Sequence, residues 1–188
     1  MSLAREVQRS LESYYALETG PDVRAFVKTA PPGAREQVLV QQRRDTLEIA
    51  VVLPRSTRST TPGTDCWQQV VEGVSHFVHL SERVRVGLPT TQLELELQAE
   101  VDKFVALALA PGLAHKGQLR AHHFRIYERV QFLHSQGTEA GDRYRLANRL
   151  AARLIARLTA RGPHSSRSKL RHFYRLGLTG KIHMARAA

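Results

Sequence analysis

Leu3, Val7, Leu11, Tyr14 and Tyr15 recur at three- and four-residue intervals with charged residues between them, which predicts an amphipathic helix across the first seventeen residues. TGPD (19–22) breaks that pattern. Two short runs rich in β-branched and aromatic residues follow, VRAFVKTA (23–30) and EQVLVQQ (36–42), separated by PPGAR (31–35). DTLEIAVVLP (45–54) then alternates: Leu47, Ile49, Val51 and Leu53 share one face and Glu48, Ala50 and Val52 the other, as in a strand with one side on a core. QQRRDT (41–46) is short and polar enough to join the last two strands as a hairpin. The economical arrangement is a small antiparallel sheet of about three strands against the first helix.

PRSTRSTTPGT (54–64) lacks apolar residues and reads as a mobile connection. Everything after it has helical periodicity. Thr64 or Asp65 caps a helix to about Val86, Thr90 or Thr91 caps one to about Leu109, and Gln118–His134, Glu139–Arg161 and Ser168–Leu176 supply three more. GLP, PGLAHKG, SQG and GPHSS carry the Gly and Pro expected between them. The predicted fold class is therefore α+β and mostly helical: an N-terminal helix with a small antiparallel sheet, followed by an array of about five helices. Residues 1–53 and 65–161 form one packed domain in this reading, and 162–188 a basic C-terminal extension.

A chain of 188 residues with 42% hydrophobic content suffices for one ordinary core. Its first residues hold no uninterrupted apolar stretch of the signal-peptide kind, and no window approaches the roughly 18 apolar residues of a membrane span, so a soluble, cytoplasmic protein is expected. Cys66 is the single cysteine, so the chain can form no internal disulfide.

Charge changes the picture. Residues 1–109 hold 12 basic and 14 acidic side chains, whereas residues 110–188 hold 16 and 3. The whole excess of +11 thus lies in the C-terminal part and suggests an anionic partner: nucleic acid, an acidic protein or a membrane surface. Arginine outnumbers lysine 23 to 5, a bias that a GC-rich genome also produces without selection for binding.

Within that part, Arg145, Arg149, Arg153, Arg157 and Arg161 repeat at strict four-residue spacing, with Leu146, Leu150, Leu154 and Leu158 one residue behind. Four residues advance a helix by about 400°, so the row winds about 160° around its helix while the leucine side packs on the body. Arginine's planar fork matches phosphate and carboxylate oxygens two at a time. Glu94, Glu96, Glu100 and Asp102 could meet the row from within the chain, but cannot neutralise all the basic residues beyond position 109. Lys169, Arg171 and Arg175 extend the basic surface, and Phe173 and Tyr174, interleaved with them, are candidates for base stacking or for docking on the core.

Chemistry is less legible. Glu72, His76 and His79 share one helix face at metal-ligand spacing, yet lie opposite the apolar arc of Val70, Val71, Val74, Phe77 and Val78, so they read as a solvated face. Glu96 and Glu100, one turn apart, fit an acid and base pair or charges that select a neighbouring basic helix. His122 and His123 flank the stripe of Leu119, Ile126, Val130 and Leu133 as packing residues. GxSxG, GxxxxGK[ST], GxGxxG and CxxC are all absent. The expectation is a non-enzymatic binding or adaptor protein with a basic C-terminal surface and no metal or cofactor. The alternatives are an acidic-protein adaptor, or an enzyme built on Glu72, His76, His79, Glu96 and Glu100.

Overall fold

The computed structural model describes residues 2–43, 46–54, 64–110, 116–160 and 163–187. Most of the connection expected at 54–64 lies outside the described residues, as does Arg161. Helix α1 (Leu3–Tyr15) buries Val7, Leu11, Tyr14 and Tyr15, the positions its periodicity selects. A short 3₁₀ turn (Val23–Ala25), capped by the Asp22 carboxylate accepting from the Arg24 amide, leads into strand β1 (Val27–Thr29). Strands β2 (Gln37–Arg43) and β3 (Thr46–Leu53) pair antiparallel from Arg43↔Thr46 to Gln37↔Val52, the expected hairpin.

The sheet is not wholly antiparallel. β1 runs parallel to β3, with Val27 opposite Val51 and Thr29 opposite Leu53, giving the order β1-β3-β2. The hairpin itself supplies the reversal that brings β3 back alongside β1, so no crossover helix is needed. Val51 and Leu53 are fully buried, and their side chains pack on helix α2 (Thr64–Arg85) at Gly73. A β-carbon there would sit 3.1 Å from Leu53 and 3.2 Å from Val51, so the glycine sets the depth at which sheet and helix meet.

Thr91 caps helix α3 (Gln92–Phe104) through its hydroxyl, which accepts from the Glu94 amide, and a π turn continues that helix over Val105–Leu109. Helix α4 (Lys116–His123) passes into a second π turn at Phe124–Glu128 and stops there, short of the expected His134. Helix α5 (Glu139–Ala160) starts where predicted and runs as far as the described residues go, and it buries Ala147, Leu150, Ala151, Leu154, Ile155 and Leu158, packing on α3. Helix α6 (Pro163–Arg175) is followed by α7 (Leu178–Arg186), a helix beyond the array of five that the sequence predicts. Gly177 stands at the start of α7 in extended backbone.

Leu170, Phe173, Tyr174 and Ala185 belong to the same hydrophobic core as α1, the sheet and α2–α5. No helix among the described residues is long and apolar enough to cross a membrane.

At the start of α5 the backbone passes close to the preceding loop: a β-carbon on Gly141 would lie 2.0 Å from the Ser135 carbonyl oxygen. Gly141→Ala is therefore expected to lower the melting temperature, although alanine is the better helix former by up to about 1 kcal/mol. Gly117→Ala in α4, where a β-carbon meets nothing within 4 Å, is expected to raise it. Thermal unfolding of the two variants checks both signs.

Candidate functional site

Helix α2 is covered on both sides. Its apolar arc meets α1 and β3, and α3 packs on the opposite flank, where Glu72, His79 and Arg83 are buried and His76 nearly so. The solvated face expected for Glu72, His76 and His79 is thus corrected to an interior one. Opposite these residues α3 supplies Glu94, Glu96, Gln98, Glu100, Asp102 and Lys103, all buried. They form three connected sets.

In the innermost set Asp102 accepts from three donors: Tyr15 hydroxyl at 2.5 Å, Gln98 Nε2 at 2.8 Å and Ser75 hydroxyl at 2.6 Å. Burial raises the Asp102 carboxyl to about 6 against the pull of these donors. Lys181 of α7, wholly buried, donates to Gln98 Oε1 at 2.5 Å and lies 4.5 Å from the centre of the Phe173 ring. Burial lowers its ammonium to about 7.

In the second set Glu94 accepts from Arg83, whose guanidinium also donates to the Leu176 carbonyl at 2.5 Å and so holds the α6–α7 junction. His79 Nε2 lies 3.1 Å from Glu94, and burial takes its imidazole down to about 4, which keeps it neutral.

The third set lines a cleft. Lys103 Nζ stands 2.9 Å from Glu72 and 2.8 Å from Glu100. His76 Nε2 is 3.9 Å from Glu96, and a cavity of about 550 Å³ opens between Glu72, His76, Glu96, Glu36, Tyr144 of α5 and the exposed Leu39 and Val40 of β2, with Lys103 and Glu100 behind Glu72 and outside its lining. Burial, then the neighbouring Glu72, raises Glu96 to about 8, and the same two causes raise Glu36 to about 8. Burial opposes ionisation of Glu72 too, yet Lys103 and then His76 hold it below the ordinary carboxylate range. Burial lowers His76. Among the described residues no three His, Cys, Asp or Glu side chains are placed to share a metal ion.

The carboxylates of α3 are thus matched mainly by α1, α2 and α3 itself, and the arginine row of α5 reaches none of them among the described residues. The row divides into two kinds. Arg145 donates to the His134 and Gly141 carbonyls at 2.9 and 3.0 Å and lies 4.6 Å over the Phe132 ring, and Arg157 donates to the Met184 carbonyl at 2.5 Å. Arg149 and Arg153 are exposed and have no hydrogen-bond or ion-pair partner among the described residues.

Farther along, Arg171 caps α1 by donating to the Tyr14 carbonyl at 2.7 Å, Lys169 is half-buried, and Arg175 is exposed. Phe173 and Tyr174 are buried; Tyr174 stacks on Tyr15 with centroids 4.4 Å apart, so neither ring has a face open to a base and docking on the core is their role here. His123 packs as expected, 3.0 Å from the Ala152 carbonyl and edge-on to Tyr127.

An exposed aromatic was missed. Phe124, 48% accessible, stands among exposed Arg120, Arg125 and Arg129, and the Arg129 guanidinium lies 5.5 Å over its ring. The signal was present: Phe124 falls about 140° from the stripe of Leu119, Ile126 and Val130, an aromatic off the apolar side and surrounded by cations. No family, no curated protein and no solved structure matches this chain.

Between pH of about 4.5 and about 8 the native Glu96 retains a proton that the unfolded chain releases, so this group makes stability fall as pH rises through that window. Glu96→Gln fixes the neutral form. Its melting temperature, measured against the parent chain, is expected to gain steadily from about pH 5 to about pH 8; a constant difference would count against the raised carboxyl.

Proposed function

We propose that the chain is a binding protein whose exposed basic side, on α4, α5 and α6, engages an anionic partner, with nucleic acid ahead of an acidic protein. One observation carries the reading: the carboxylates best placed to neutralise the helical array are buried with partners of their own, while Arg120, Arg125, Arg149, Arg153 and Arg175 stand exposed and without ion pairs among the described residues. Of the three acidic residues beyond position 109, Glu128 faces His123 at 3.6 Å, Glu139 faces Arg143 at 3.5 Å, and Asp142 accepts from the Gly137 amide. A surface of unopposed guanidinium groups concentrates phosphates and releases their counterions on binding.

A second reading has a specific observation in its favour. The cleft holds an ionised Glu72 and a protonated Glu96 with His76 beside them, and carboxyls driven apart in this way are the pattern of a general acid and base. Under this reading Glu96→Gln removes a turnover while leaving polyanion affinity intact. His79, buried against Glu94 and Arg83, has no part in that cleft.

The binding reading is tested by the affinity for mixed-sequence RNA and DNA across a salt series. Each phosphate contact contributes about −0.7 to −0.9 to the slope of log K against log salt. Arg149→Gln with Arg153→Gln is expected to reduce that slope by about 1.4 to 1.8 with the fold intact, since glutamine is also a good helix former. Salt-insensitive or absent binding to both nucleic acids would leave the acidic protein as the partner.

A further inference from the structure

The π turn at Phe124–Glu128 inserts one residue into the helical repeat, closed by the Arg129 amide donating to the Phe124 carbonyl at 3.2 Å. Ile126 and Tyr127 are buried by it, and Phe124 is turned outward at the edge of a cavity of about 550 Å³ between α4 and α5. Leu119 is its buried floor, and α5 contributes only small side chains, Ala156, Thr159 and Ala160. Such a volume lies within the ordinary range for small-molecule sites. Arg120 and His123 form its polar side, and Glu128, the one carboxylate on its lining among the described residues, faces His123.

Arg153 and Arg149 precede Ala156 by three and seven residues and lie on the same exposed stripe of α5, about one and two turns from the cavity. The groove thus ends a line of free guanidinium groups with an aromatic ring, and Arg129 sits over that ring.

We propose that this α4–α5 groove takes an unpaired base of a single-stranded nucleic acid on the Phe124 ring, with the phosphates of the same strand along Arg153 and Arg149. The proposal rests on the binding reading above and narrows it. A duplex offers phosphates to the arginines but keeps its bases stacked on one another, so the cavity adds nothing to its binding. A single strand presents both groups at once, and stacking on an aromatic tolerates any base because each has a π face. An acidic peptide would satisfy the arginines and leave the ring and its small-residue wall without a complement.

The test compares a labelled oligothymidine, an abasic strand of the same length and charge, and a duplex, by fluorescence anisotropy at one salt concentration and then across a series. Oligothymidine is expected to bind roughly 5- to 150-fold tighter than the abasic strand, the range that one base–aromatic stack supplies. Phe124→Ala and Phe124→Leu, the second keeping the apolar volume without a π face, should each erase that difference and leave abasic affinity unchanged, which also reports that the variants are folded. Phe124→Trp should preserve it. Equal, salt-steep affinity of the parent chain for all three strands, or a base preference that survives both Phe124 replacements, overturns the groove and leaves the basic surface standing. Absence of salt-dependent binding to any of them overturns both.

Discussion

Asp102 lies at the point where α1, α2 and α3 meet, with a hydroxyl from Tyr15, a hydroxyl from Ser75 and an amide from Gln98 on its two oxygens. A carboxylate taken from water at this depth is strongly destabilising unless its lone pairs are filled, and three donors from three helices fill them in one geometry only. Gln98 passes the constraint on, because its carbonyl oxygen receives the Lys181 ammonium. Four helices are thereby tied by directional hydrogen bonds in addition to their apolar packing. The set sits within a core whose bulk stabilisation is hydrophobic, so the polar layer acts there as a specifier.

The same layer explains the distribution of charge over the molecule. Glu72, Glu94, Glu96, Glu100 and Asp102 all turn inward, and the cations that accompany them, Arg83, Lys103 and Lys181, are fewer. Burial accordingly raises the carboxyl groups of Glu96 and Asp102, which hold protons more readily than their free counterparts. With so many acids inside, the exterior of α4 to α7 is left to arginine. Basic surface and acidic interior are two sides of one arrangement, and the cleft beside β2 is where that interior opens to solvent.

Much of the architecture was legible in the pattern of residues. The alternation that ends in Val51 and Leu53 gave the strand that packs on α2, and the leucine row of α5 gave its buried side. Periodicity failed where burial was polar. Glu72, His76 and His79 look solvated when only apolar residues are counted as core, and their partners on α3 become visible only once the helices are packed. The basic residues were half legible: spacing puts Arg149 and Arg153 on the exposed side of α5, but nothing local reveals that Arg145, Arg157 and Arg171 end on carbonyls of residues 134, 184 and 14. Phe173 and Tyr174 misled because a basic neighbourhood does not distinguish a ring that faces out from one that anchors a short helix. The parallel pairing of β1 with β3 escaped because a hairpin between β2 and β3 is compatible with either strand at the centre.

Arg171 caps the last turn of α1 from 157 residues away, and Tyr15 reaches Asp102 across 87. The order of synthesis is then also an order of exposure. At ribosomal rates of about 5–20 residues per second, roughly 8 to 30 s separate the emergence of Tyr14 from that of the arginine that caps it. Throughout that interval the apolar side of α1 lacks part of its native cover. Helix α1, made before α6, is completed only when α6 arrives, so the cover of Tyr14 and Tyr15 is among the later contacts to form.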